Sequence, residues 1–103
     1  MLWDKTRYKV MLSGGRGQFT TKEMRDLIQH LIVRPASNDT VWSMVILDGE
    51  QDPIYEVVDH VGRLDEFIGI PVGRDKKEKL NIQIYDTTAN EQFDVIFKVK
   101  EVQ

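Results

Sequence analysis

The chain contains no cysteine, so it has neither disulfide staples nor thiolate metal ligands, and its fold has to hold by packing alone. Only 3 prolines interrupt it, and 2 histidines leave little material for an imidazole metal site. No apolar run approaches the roughly 20 residues that a membrane-crossing helix needs. Asp4 and Lys5 bring charge directly behind Met1, Leu2 and Trp3, unlike a secretory leader, so the expected place of action is where the protein is made. Positive charge is not in surplus either. Lys and Arg number 14 against 17 Asp and Glu, for a net charge of −3. That balance argues against a broad phosphate-binding surface and keeps nucleic acid from being the leading partner, a local basic patch aside. At 103 residues and 12.0 kDa, one domain spanning 1–103 and one core are expected.

What the chain does have is two-residue periodicity. Leu80, Ile82 and Ile84 alternate with Asn81, Gln83 and Tyr85. Phe93, Val95, Phe97 and Val99 alternate with Asp94, Ile96, Lys98 and Lys100. Alternation at period 2 places one row on a core and the other toward water, which predicts two strands, and the polar run 86–92 between them predicts a hairpin. Tyr8, Val10 and Leu12 oppose Arg7, Lys9 and Met11 in a first strand that ends at Ser13 to Gly17. Val41 to Leu47 is apolar on both faces apart from Ser43, as in a central strand with Trp42, Met44 and Ile46 in core or interface. Asp48 to Pro53 is turn chemistry leading to a partner strand, Ile54 to Val58. Pro71 confines the stretch Leu64 to Val72 to an edge or a strand end, and 73–79 reads as a charged loop. The fold class is mainly β, an antiparallel β-sandwich of jelly-roll or immunoglobulin-like type, with or without one helix at 20–32.

That last segment carries two patterns at once. Thr20 with Glu23 forms a capping box, Phe19 and Met24 suit a hydrophobic staple, and Met24, Leu27, Ile28, Leu31 and Ile32 recur at helical spacing. Leu27 to Val33 suits a buried strand equally well, and 35–39 makes the loop that a strand-to-strand connection needs. The local pattern leans toward the helix.

Chemistry-bearing clusters are sparse. Ser13, Gly14, Gly15, Arg16 and Gly17 imitate a phosphate loop but lack its Lys-Ser/Thr end, so a glycine turn is the better reading. Asp48, Glu50 and Asp52 offer carboxylates to a calcium ion without the rest of an EF-hand loop; a solvated hairpin tip accounts for them. His60 with Asp59, Asp65 and Glu66 would form a metal or acid–base site only if folding brought them into one cleft, and His30 sits on or beside an apolar stretch. Ser13, Ser37 and Ser43 lack a nucleophile-elbow context. The loop Arg74 to Lys79 carries mixed charge with a positive excess, as a solvated loop does. No enzyme, cofactor or metal site is expected. In the outward rows, Tyr85, Ile96 and Val102 are apolar residues that one sheet face would gather into a contact patch.

The order of these segments resembles small β-sandwich virion proteins of tailed bacteriophages. The segments that carry the likeness are Leu27 to Ser37, Thr40 to Asp48, Ile54 to Glu56, Gly62 to Leu64, Ile70 to Val72 and Leu80 to Val99. The resemblance implies that Leu27 to Val33 is a strand. It also implies a non-catalytic subunit of a capsid, neck or tail, made in the host cytoplasm and assembled with copies of itself or with other virion proteins, away from membranes. Tyr85, Ile96 and Val102, with Trp42 if exposed, are the expected interface. The alternative is a stand-alone binding module for carbohydrate or peptide, using Trp3 or Trp42 as an aromatic platform.

Overall fold

In the computed structural model, residues 3–73, 76–87 and 92–101 are described, and all of their regular structure is strand. The elements are β1 (Trp3–Met11), β2 (Gly17–Thr20), β3 (Asp26–Arg34), β4 (Val41–Leu47), β5 (Pro53–Val61), β6 (Leu64–Pro71), β7 (Asn81–Tyr85) and β8 (Gln92–Glu101). They form two antiparallel four-stranded sheets, in the orders β1-β8-β3-β6 and β2-β7-β4-β5.

That order follows one rule: β1 pairs with β8, β2 with β7, β3 with β6 and β4 with β5. The chain is in effect one long hairpin, with β4 and β5 at its tip, rolled into two layers; this is the jelly-roll wrap rather than the immunoglobulin one. Rolling puts β1 and β2 along one side of the sandwich and β6 and β5 along the other, so each sheet keeps two open edges.

Between the layers lies the core that the alternation predicts. Val10, Leu12, Ile28, Leu31, Trp42, Met44, Ile46, Ile82, Ile84, Phe93, Val95 and Phe97 are buried in it. The β4–β5 tip is a hairpin, and Asp48 Oδ1 accepts from the backbone N–H groups of Glu50 (2.8 Å) and Asp52 (2.9 Å), closing the turn as an aspartate does. The positive φ there belongs to Gln51 (68°) rather than to Gly49. Gly14 (64°) and Gly15 (78°) are the two central residues of the turn closed by Ser13 and Arg16. Two successive positive φ values make it a type I′ turn, which glycine enters without steric cost.

Three sequence expectations are corrected. Residues 20–32 hold no helix: Thr20 closes β2, Met24 bridges to Glu78, and Asp26 begins β3. The helical spacing has a cause in the sheet. A bulge between Ile28 and His30 inserts one extra residue, so Ile28 and Leu31 face the same core although they are three apart.

Secondly, β7 and β8 are not a hairpin. β7 lies between β2 and β4, β8 lies between β1 and β3, and the chain crosses from one layer to the other between them. Thirdly, Tyr85 and Ile96 therefore stand on opposite outer faces. Ile96 is in the outward row as its alternation requires, yet it has no exposed surface, and neither has Trp42. Val102 falls outside the described residues.

Candidate functional site

The two outer faces of the sandwich differ in character. On the β1-β8-β3-β6 sheet, register aligns outward side chains in rows running across the strands. One row is Lys5, Lys98, His30, Phe67; the next is Arg7, Ile96, Ile32, Asp65; a third is Lys9, Asp94, Arg34. Lys100 stands beside Leu27 at the far end. Among the described side chains, Lys5, Arg7, Lys9, Lys98, Lys100 and Arg34 thus meet Asp65 and Asp94, six cations to two carboxylates, on a chain whose net charge is negative.

Strand alternation puts like side chains about 6.8 Å apart along β1 and β8, and sheet pairing sets the two strands about 4.8 Å apart. The cations therefore form a lattice rather than a scatter. Ile32 and Ile96 oppose each other beneath it. Long cationic stems cover apolar surface while their heads stay in water, which accounts for the burial of both isoleucines in an outward row.

The two carboxylates are embedded in this positive field. Asp65 is hydrogen-bonded to the His30 ring and lies 3.6 Å from Arg63. The bond to His30 holds its carboxyl below the ordinary range, and the charges of Arg63 and Lys98 act in the same direction. Asp94 sits in register between Lys9 and Arg34, and its buried Oδ1 has no hydrogen-bond partner among the described residues; the same holds for Arg34 Nε. At the β6 edge, Phe67 leaves 68% of its surface to solvent, the largest such value among the large apolar side chains described.

The β2-β7-β4-β5 face is polar instead. Gln18, Gln83, Val45 and Glu56 share a row, and Gln83 Nε2 donates to Asn81 Oδ1 at 2.8 Å. Two open clefts of about 500 and 480 Å³ meet at Gln18 and Gln83. One runs under the Lys76–Lys79 loop, and the other ends on Arg16 and Tyr85. Burial, followed by the negative charges of Glu56 and Asp86, pushes the Tyr85 phenol upward.

Folding disperses the acid–base constellation that His60 would have needed. His60 leans edge-on against Trp42 and its Nε2 lies 2.8 Å from the Arg63 carbonyl, whereas Asp65 belongs to His30 and Glu66 to the hydroxyl of Tyr55. Neither cleft includes His60. At the hairpin tip the Asp48 carboxylate is engaged with backbone N–H groups, and no three His, Asp or Glu side chains among the described residues converge as a metal site. Ser13 to Gly17 runs into a strand, not the helix that a phosphate loop requires. Ser43 is buried, its Oγ accepting from the Asp59 N–H at 3.0 Å where β5 bulges. Trp42 points inward and donates from Nε1 to the Gly62 carbonyl, which removes it as an aromatic platform. The side chain of Trp3 lies outside those described.

Sequence reasoning passed over three residues that the structure exposes: Phe67, and Val58 and Val61, each of the two valines 60% accessible on the β5 edge. Alternation along β6 would have found Phe67. The bulge at Val58 and Asp59, with Asp59 at a φ of 51°, hides the pattern in β5. Compared with known proteins, the chain matches no family model and no curated protein.

Proposed function

We propose that this protein is a non-catalytic structural subunit of a phage particle, in a capsid, neck or tail, working by assembly with copies of itself or with other virion proteins. The observation that carries the reading is β5. It is a nine-residue strand on an open sheet edge, and it presents Val58 and Val61 to solvent. An unpaired edge offers backbone donors and acceptors that another chain can complete, and exposed aliphatic side chains add apolar area to such a contact. Jelly rolls host viral shell proteins as well as lectins and cupins, so the wrap is compatible with this role without deciding it. Here Val58 and Val61 replace Ile96 and Trp42 as the residues of the contact. Sedimentation velocity across a concentration series tests it: oligomers that Val58→Lys with Val61→Lys dissolves are the expected result. A protein monomeric at every concentration, alone and with candidate virion partners, would refute the subunit reading.

A second reading rests on the face carrying Gln18, Asn81, Gln83 and Tyr85. Side-chain amides beside a tyrosine suit a neutral, hydroxyl-rich ligand, so a stand-alone binding module for carbohydrate is the alternative. Glycan-array binding lost on Gln83→Ala would favour it, and an array without hits would remove it.

A further inference from the structure

We propose that the outer face of the β1-β8-β3-β6 sheet binds single-stranded nucleic acid, its cations tracking the phosphates and Phe67 stacking on a base.

The first argument is charge. A net charge of −3 averages over the whole surface, but a polyanion meets one face at a time, and among its described side chains this face carries six cations to two carboxylates. Arg7, Lys9 and Lys98 are exposed, and none of the three forms an ion pair among the described residues. Of the opposing carboxylates, Asp65 is compensated by Arg63 and by its bond to His30, and Asp94 lies between Lys9 and Arg34. Neither interrupts the pair Arg7 and Lys9, which alternation sets on one side of β1, nor Lys98 on the neighbouring strand. Binding at such a surface releases counterions and is driven accordingly.

The second argument is Phe67. One edge of the ring lies over Gly69, but most of its surface is left to solvent, and it stands in the same cross-strand row as His30, Lys98 and Lys5. A ring beside a cationic track is the arrangement by which flat sheets hold unstacked bases: the cations take the backbone and the ring takes a base face. Bases in a duplex keep their faces covered. Four strands about 4.8 Å apart also make a surface too broad for the roughly 12 Å major groove. The geometry therefore favours a single strand over a double one.

The binding face is separate from the β5 edge, so this inference and the assembly role fail independently. Fluorescence anisotropy with a labelled oligo-dT of about twenty nucleotides tests it, over about 50 to 200 mM salt. The expected result is binding whose log affinity falls linearly with log salt. Arg7→Glu with Lys9→Glu should weaken it by tenfold or more at the low-salt end and flatten the slope. Phe67→Ala should weaken it by roughly tenfold with the slope unchanged, and Phe67→Trp should restore it. These positions are exposed, so circular dichroism should show the parent fold, with only a small fall in Tm where Ile96 and Gly69 lose part of their cover, and Val58→Lys with Val61→Lys should bind as the parent does. No binding at about 50 mM salt overturns the proposal. Tighter binding to a duplex of the same length overturns it as well. A silent Phe67→Ala together with equal competition by polyglutamate would show a face that selects negative charge alone, as an acidic protein partner would use, and would also overturn it.

Discussion

Trp42 Nε1 donates to the carbonyl oxygen of Gly62 at 2.7 Å, inside the core, and so ties the start of β4 to the turn where the chain passes from β5 to β6. The same indole meets Phe93 of β8 edge-on, with ring centroids 5.8 Å apart, so one side chain spans both sheets. Trp42→Phe keeps an aromatic ring in place but strands the Gly62 carbonyl and leaves part of the indole volume empty. The expected cost is about 2–3 kcal/mol, read as a fall in urea midpoint with an unchanged m value. An unchanged midpoint would mean that the bond adds nothing.

Gly62 itself is constrained from the other side. Its φ is 76°, its N–H donates to the Thr40 carbonyl at 2.8 Å, and a Cβ there would lie 2.7 Å from the Asn38 carbonyl oxygen. Backbone cannot yield as a side chain does. Gly62→Ala should therefore lower stability by more than Gly14→Ala, whose added methyl meets nothing within 4 Å and carries only the positive-φ cost of about 1 kcal/mol. Equal losses by thermal or urea denaturation would show that the Asn38 carbonyl moves aside.

Across the open side of the sandwich, the Tyr55 hydroxyl of β5 donates to the Glu66 carboxylate of β6. Burial raises the phenol above its ordinary value of 10.0, and the bond to Glu66 with its negative charge adds to the shift. A pKa raised by folding adds stability below the unfolded value and loses it as pH rises through the folded one. Absorbance titration should therefore show a component that ionises well after a free phenol and that Tyr55→Phe removes, beside the raised phenol of Tyr85. Tyr55→Phe should cost about 1 kcal/mol at neutral pH, with the gap to the parent narrowing above pH 10.0. A late component that Tyr55→Phe leaves unchanged would contradict the linkage.

Ile96, with no exposed surface, packs in register against Ile32 on the outside of its sheet rather than in the main core. Its register neighbour on the other side is Arg7, whose long stem can close over a smaller residue more readily than core side chains do. Ile96→Ala should cost about 2 kcal/mol, at the low end for a buried isoleucine. Val58→Ala on the exposed edge should stay within about 0.5 kcal/mol. Equal effects in equilibrium unfolding would mean that Ile96 is not covered in solution.

Residues such as Leu80, Ile82 and Ile84, or Phe93, Val95 and Phe97, read as strands from sequence because each strand of a sandwich with one wet face records its own orientation in a two-residue pattern. The β4–β5 tip was equally legible, since Asp48 and its turn act over a few residues. Ile28 and Leu31 misled for a local reason: a bulge converts a strand pattern into helical spacing. The β7–β8 pairing misled for a global one, because period 2 defines which side of a strand is buried and says nothing about which strand lies next to it.

The candidate surface shows the same division. That Arg7 and Lys9 face outward, and that Lys98 and Lys100 do too, was written in the local alternation of β1 and β8. Their union into one basic face was not, since it required the first and last strands of the chain to become neighbours. Phe67 joined them only through the pairing of β6 with β3. Side-chain direction is a property of consecutive residues, whereas adjacency in a rolled hairpin is settled by which apolar rows close the core with the fewest unpaired backbone groups, and that is a property of all eight strands together.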